Sequence, residues 1–196
     1  MIKNNISIKR HIHILNLLYK VGVFMLEKIK IELGNIVDYE CDAIVNSANV
    51  WLLGGSGVCG AIFKAAGKIE LQDECDKIGG CETGQAVITQ GFNLKSKYII
   101  HAVGPRYKDD SDAVLLESTY KSILRISKEY NFKSIAIPSI STGVYRYPVE
   151  KAVKIALNTL KNNIVDSLET IYIVCFDKYT YNIYQEEFKH LLTNKI

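Results

Sequence analysis

Apolar positions along the chain alternate between a strand-like and a helical spacing. Several of the strand-like runs are continuously apolar, which is typical of a sheet covered on both faces. The strand-like runs are residues 28–33, 43–46, 86–89, 98–103, 134–138 and 170–176. Helical spacing lies between them at 58–78, with a break predicted near Gly67, and at 112–130, 149–162 and 179–192. Strands that alternate with helices in this way predict an α/β fold built as a three-layer α/β/α domain.

The first candidate site is the join between the strand over 43–46 and the helix after it. The strand ends in two asparagines and leads into a glycine-rich loop, with Asn46, Asn49, Gly54, Gly55 and Gly57 before a helix from about Val58. The asparagine amides offer both a donor and an acceptor. The glycines permit positive φ and close backbone approach, and the first helical turn leaves N–H groups unpaired. Such a join is suited to binding a small anion, phosphate above all.

A second loop has a similar construction. The strand over 134–138 leads into Ser139, Ser141, Thr142, Gly143 and Tyr145 before another helix begins after Pro148. Ligands of α/β sheets bind outside the carboxyl ends of the strands, which is where both loops fall. The two loops together predict a site that holds one diphosphate from both sides.

These two loops and the strings around them resemble those of a macrodomain. The strings that carry the resemblance occur in the family's order and spacing: VNSAN at 45–49, GGSGV at 54–58, GCETGQA at 80–86, IIHAVGP at 99–105, ISTGVYRYP at 140–148 and VCFD at 174–177. The resemblance covers roughly residues 26–192. It implies a three-layer α/β/α macrodomain with a mixed central sheet, and ADP-ribose as the ligand, free or attached to a protein or an acyl group.

The resemblance also implies how each part of the ligand is bound. Phe176 stacks on adenine, and Asn35 stands where the family usually has an aspartate that accepts from the exocyclic amine. A neutral amide acceptor is weaker than a carboxylate by about 1 kcal/mol. The diphosphate is held by backbone N–H groups and hydroxyls of 55–60 and 141–145, and the distal ribose lies against Asn46, Asn49 and Tyr145. The implied substrate-binding set is Asn35, Ile36, Gly54, Gly55, Ser56, Gly57, Val58, Gly60, Ser141, Thr142, Gly143, Val144, Tyr145 and Phe176.

Three residues are candidates for catalysis: Asn46, Asn49 and Cys59. The hydrolases of the family that this chain resembles most carry an aspartate where Cys59 stands, and that aspartate orients or activates a water. A cysteine at a helix start can act as a thiolate base or nucleophile. In the preferred alternative, Asn49 and the substrate's own phosphate position the water, as is thought for family members that have GVC at this point.

Two functions follow from the resemblance. The first is a hydrolase, without metal or cofactor, that cleaves the ester at the distal ribose of mono-ADP-ribosylated proteins or of O-acyl-ADP-ribose. The second is a non-catalytic module that binds ADP-ribose as a reader. Cys59 and Asn35 favour the reader, whereas Asn46, Asn49, the glycine-rich loop and Tyr145 favour the enzyme.

Composition limits the remaining possibilities. A chain of 196 residues with 48% hydrophobic content predicts one domain, and 24 basic against 21 acidic residues give no nucleic-acid signature. Five cysteines without CxxC spacing indicate neither a disulfide framework nor a zinc site, so we expect a reducing, cytoplasmic location. A lone small domain predicts a monomer, and we expect no membrane partner. Residues 1–24 contain no acid and an apolar stretch too short and broken to span a bilayer. We expect a loosely ordered extension there and the macrodomain over 25–196.

Four further residues lie near the motifs but outside the implied catalytic and substrate-binding sets. We expect Arg146 to be solvated and His101 to be a core or strand-end histidine. Trp51 and Leu52 follow the asparagines, and we expect them to cover the edge of the distal-ribose pocket, with burial for packing alone as the alternative.

Overall fold

The computed structural model describes residues 25–193 and contains one mixed six-stranded sheet. The strands are β1 (Ile29–Leu33), β2 (Ala43–Ser47), β3 (Ala86–Gln90), β4 (Tyr98–Ala102), β5 (Ser134–Pro138) and β6 (Thr170–Cys175). Their order across the sheet is β1-β6-β5-β2-β4-β3. Only the β3–β4 pair is antiparallel. The predicted α/β class with a mixed central sheet is confirmed.

Helices cover both faces of this sheet. They are α1 (Gly57–Ala66), α2 (Lys68–Ile78), α3 (Ala113–Glu129), α4 (Val149–Asn163) and α5 (Lys178–Thr193), with short 3-10 helices at Ile36–Asp38 and Asp110–Asp112. Successive β2 residues point to opposite faces, so that Ala43 and Val45 pack in one core cluster with α3, α4 and α5. Ile44 packs in the other cluster with α1 and α2. This two-sided burial explains the continuously apolar strands.

The predicted break near Gly67 separates α1 from α2. Gly67 has φ +109°, and a Cβ added there would lie 2.7 Å from a Glu70 carboxylate oxygen. The chain therefore needs glycine at the point where it changes direction. The two 3-10 helices were not predicted, because one turn is too short to produce a periodic pattern.

Strand order determines where the site lies. β1, β6, β5 and β2 are neighbours and run parallel, so their carboxyl ends meet at one edge of the sheet. The segments that follow them therefore come together, although they are far apart in sequence. The predicted extension over residues 1–24 lies outside the described residues. Within residues 25–193, none of the helices has the length and apolar character needed to cross a membrane.

Candidate active site

A cavity of about 680 Å³ lies along this edge of the sheet. It brings together all of the predicted site residues except Asn46, Gly54 and Gly60. Residues outside the predicted set also line it: Gly34, Ser47, Ala48, Ala61, Pro138, Ser139, Val174, Asp177 and Thr180. Ser47, Ala48, Val174 and Asp177 lie within the recognised strings, and Pro138 and Ser139 directly precede one, so their position at strand ends is the signal that would have found them.

The first wall of the cavity is the loop that opens α1. Gly57 has φ +59°, which turns the chain into the helix. Gly60 lies so close to the loop that a Cβ added to it would be 2.4 Å from the Gly55 carbonyl oxygen. Gly60 does not line the cavity, but its missing side chain allows the loop to pack closely against the first turn of α1. The N–H groups of Ser56, Gly57 and Val58 donate to no acceptor within residues 25–193.

The second wall is the loop between β5 and α4. Ser141 is buried with φ +67°, and Gly104 allows its close approach, because a Cβ on Gly104 would be 2.2 Å from the Ser141 hydroxyl. The hydroxyls of Ser139 and Ser141 are buried without a hydrogen-bond partner in the described part of the chain. The loop is closed by Tyr147 N–H donating to the Ser141 carbonyl at 3.0 Å.

Three N–H groups of this second loop are also available. Those of Thr142, Gly143 and Val144 have no acceptor within residues 25–193. The cavity therefore presents unpaired backbone donors from both loops. Backbone N–H groups without a protein acceptor are available to a ligand, so this arrangement indicates a ligand rich in hydrogen-bond acceptors.

Asn49 lines the cavity, but its side chain also folds the loop after it. Its Nδ2 donates to the Leu53 carbonyl at 2.7 Å, and its Oδ1 accepts from the N–H groups of Trp51 and Leu53, each at 3.2 Å. The second Nδ2 hydrogen remains available for a ligand. The resulting turn places Leu52 in the core, where it is 1% exposed, and leaves Trp51 71% exposed. Neither lines the cavity, so the expectation that both cover its edge is wrong.

Cys59 lies at the cavity wall and is 6% exposed. Its Sγ accepts from Asn46 Nδ2 at 3.7 Å and donates to the Leu53 carbonyl at 3.7 Å. Burial raises the pKa of the Cys59 thiol, which outweighs the lowering by hydrogen bonds from Asn46 and Gly55. The thiol is therefore protonated near neutral pH, which disfavours a thiolate nucleophile or base.

Asn46 lies behind Cys59, away from the cavity. It is fully buried, and its Nδ2 also lies 3.1 Å from His101 Nδ1. Its Oδ1 has no partner among residues 25–193. Asn46 therefore supports the wall that Cys59 forms, and it does not itself line the cavity.

His101 is the core histidine that the sequence predicts, and it is fully buried. Burial lowers the pKa of His101 to about 4, so the ring is neutral. Since Asn46 donates to Nδ1, the proton lies on Nε2, which donates to Thr89 Oγ1 at 2.9 Å. Thr89 in turn donates to the Gln90 carbonyl at 3.2 Å. This chain of hydrogen bonds fixes the Asn46 amide beneath the cavity.

The opposite end of the cavity presents an aromatic ring and an unpaired amide. Phe176 is 84% exposed and has no ring contact within the described residues. The Asn35 amide likewise makes no hydrogen bond there. Asp177 is the only charged residue of the lining, and its carboxylate accepts from Thr180 N–H at 2.9 Å and Thr180 Oγ1 at 2.8 Å. These bonds, the backbone one first, lower the pKa of Asp177.

Tyr145 closes the end of the cavity beside the first loop. The Arg106 guanidinium lies over its ring, 4.8 Å from the centroid. Arg146 is exposed with φ +55° and does not line the cavity, as expected for a solvated residue. Within residues 25–193, no group of three or more His, Cys, Asp or Glu side chains is placed to hold a metal ion.

Comparison with known proteins adds three findings. A family model described as "Macro domain" matches residues 45–156. A macro domain-containing protein of Caldanaerobacter subterraneus is 49% identical over 173 residues, which are 85% of this chain and 99% of the relative. A Pantoea vagans protein named O-acetyl-ADP-ribose deacetylase 1 is 44% identical over 168 residues, covering 81% of this chain and 97% of the relative.

Solved structures resemble this chain over the same region. The Oceanobacillus iheyensis macrodomain with ADP has a TM-score of 0.79 at 40% identity, covering 85% of this chain and 93% of that one. The Trypanosoma brucei macrodomain in complex with ADP-ribose has a TM-score of 0.78 at 36% identity, covering 83% of this chain and 70% of that one.

Proposed function

The chain belongs to the macro domain family, and from that premise we propose that it binds ADP-ribose and hydrolyses the ester between the distal ribose and a carboxyl group. The substrates are mono-ADP-ribosylated acidic side chains or O-acyl-ADP-ribose. In either case water adds across the ester, and the products are a free ribose hydroxyl and a carboxylate.

The unpaired donors of the two loops carry this proposal. Ser56, Gly57 and Val58 supply N–H groups on one side of the cavity, and the second loop supplies three more at 142–144. The lining contains no lysine or arginine. A diphosphate matches this set, because it offers several acceptor oxygens at close spacing, and helix N-termini stabilise negative charge.

The two ends of the cavity then fit the two ends of ADP-ribose. The exposed Phe176 ring offers a face on which adenine stacks, and Asn35 Oδ1 accepts from its amine. The distal ribose lies between Tyr145 and Asn49, whose second Nδ2 hydrogen is free to bond a ribose hydroxyl.

Water attack is favoured over attack by the thiol. The raised pKa of Cys59 keeps the sulfur protonated, and its hydrogen is directed to the Leu53 carbonyl. Asn49 also donates to that carbonyl, at 2.7 Å, so the Cys59 thiol and the Asn49 amide share one hydrogen-bond acceptor. We infer that Asn49 and the substrate phosphate orient the water, while Cys59 shapes the wall. Orientation and proton transfer assistance typically contribute about a hundredfold or more.

Release of label from a glutamate-linked ADP-ribosylated protein tests the proposal, with calorimetry of ADP-ribose binding beside it. We expect Asn49→Ala to lose hydrolysis by about a hundredfold or more. Asn49→Asp is the matched variant, because it keeps the acceptor for the Trp51 and Leu53 N–H groups. It replaces the donor to the Leu53 carbonyl with a carboxylate oxygen and adds a negative charge, so its ADP-ribose affinity is measured beside its hydrolysis. If both variants bind ADP-ribose and only the native chain releases label, the amide donor is required.

The second candidate is the non-catalytic reader, which Cys59 favours because the family's usual carboxylate is missing. Under that function the native chain binds ADP-ribose in calorimetry but releases no label over a long incubation. Absence of binding heat would contradict both functions.

A further inference from the structure

We propose that the rim of the cavity beside Tyr145 binds an acidic polypeptide segment, so that the preferred substrate is an ADP-ribosylated protein with Asp and Glu around the modified residue. This inference rests on the proposed function and chooses among its substrates. We define this rim as Val144, which lines the cavity, together with the two arginines next to Tyr145, Arg106 and Arg146; all three are exposed.

Arg106 is held at the rim by two contacts. Its guanidinium lies 4.8 Å from the centroid of the Tyr145 ring, and the next residue, Tyr107, donates its N–H to the Tyr145 carbonyl at 3.0 Å. A guanidinium stacked on an aromatic face keeps its edge N–H donors free for a carboxylate. The cation therefore lies against Tyr145, a residue of the cavity lining.

Arg146 adds a second exposed cation, because it follows Tyr145 directly in sequence. Its φ of +55° and the bond from its N–H to the Gly143 carbonyl at 2.9 Å fix the backbone there. Two exposed cations therefore neighbour Tyr145, which lines the cavity.

Neither arginine has a counter-ion among residues 25–193, because the ion pairs there involve other cations. Of the acids that follow Arg106 in sequence, Asp110 pairs with Lys151 and Asp109 forms no ion pair with either arginine. Unpaired cations at the mouth of an otherwise cation-free cavity favour an acidic partner outside it.

The two charges argue for a polypeptide over a small acyl group. An acetyl ester has two carbons and no charge, so it offers nothing to either arginine. The residues on both sides of a modified glutamate extend beyond the ester, and their carboxylates are the partners that exposed arginines favour. Val144, which lines the cavity and is 66% exposed, adds an apolar contact for the same segment.

The test measures kcat/KM on three substrates that share one ADP-ribosyl ester. They are a glutamate-modified peptide with flanking Asp and Glu, the same peptide with flanking Asn and Gln, and O-acetyl-ADP-ribose. We expect the native chain to prefer the acidic peptide by about tenfold at low salt, with the preference fading at high salt.

Charge variants locate the effect. Arg146→Glu and Arg106→Gln should abolish the preference and leave O-acetyl-ADP-ribose within about twofold, while Arg106→Lys restores part of it because the charge returns. Lys154→Glu, an exposed lysine on α4 outside the cavity and without an ion pair, is the control for net charge and should behave as the native chain.

The proposal is overturned if the native chain treats the two peptides alike, or if Lys154→Glu removes the preference as strongly as Arg146→Glu. If no substrate is turned over although ADP-ribose binds, the proposed hydrolase function is wrong, but the inference about the acidic segment can still be tested. The same peptides are then compared by their Kd, and the same tenfold preference and the same variants decide the inference.

Discussion

Gly60→Ala isolates the packing that shapes the first loop. An alanine Cβ would lie 2.4 Å from the Gly55 carbonyl oxygen, whereas ordinary contacts begin at 3.4 Å. Loop and helix must therefore separate by about 1 Å. Overpacking of this kind costs about 1–3 kcal/mol. For a chain of this size, we expect the thermal midpoint to fall by about 2–4 °C for each kcal/mol.

The same displacement should weaken ligand binding. A shift of the Ser56, Gly57 and Val58 N–H groups by about 1 Å takes them out of hydrogen-bond range of a bound diphosphate. A hydrogen bond to a charged group contributes about 1.5–3 kcal/mol, so the loss of one raises the Kd for ADP-ribose by about 10-fold to 150-fold. Thermal unfolding and calorimetry measure the two effects.

Gly79→Ala is the matched control. Gly79 ends α2 with φ +83°, and a Cβ there meets nothing within 4 Å. The alanine should cost about 1 kcal/mol through backbone strain alone, and it should leave ADP-ribose affinity unchanged because Gly79 is outside the cavity. Native affinity in Gly60→Ala would refute the reasoning, as would an equal loss of affinity in Gly79→Ala.

Two further predictions concern the polar groups behind the loop. Cys59→Ala should keep most of the hydrolysis and Cys59→Asp should equal or raise it; a dead Cys59→Ala variant that still binds ADP-ribose would make the thiol the reacting group. His101, with its pKa lowered from 6.5 to about 4, stays neutral when folded but takes up a proton when unfolded. Stability should therefore fall as pH drops from 6.5 to 4, by roughly 3 kcal/mol in all. His101→Asn removes this contribution. If the free energies of unfolding in urea for the native chain and the variant changed in parallel with pH, the lowered pKa of His101 would be wrong.

The strands, the helices and the place of the site followed from the sequence. Burial on both sheet faces forces continuous apolar runs such as 134–138, and the predicted strand there coincides with Ser134–Pro138. The helix break at Gly67 was likewise readable, because only glycine tolerates that backbone. Both loops follow parallel strands, so general rules of α/β sheets placed them at one edge.

Only the tertiary structure decided what the side chains at that edge contact. Asn46 and Asn49 are the same residue type in the same short motif, yet Asn46 is hydrogen-bonded to the core residue His101 and Asn49 lines the cavity. The parallel register of β2 and β4 places Asn46 beside His101, 55 residues along the chain. Likewise, Arg106 meets Tyr145 only because the segments after β4 and β5 converge. Local periodicity reports which face of an element is buried, whereas such partners depend on the register between distant strands.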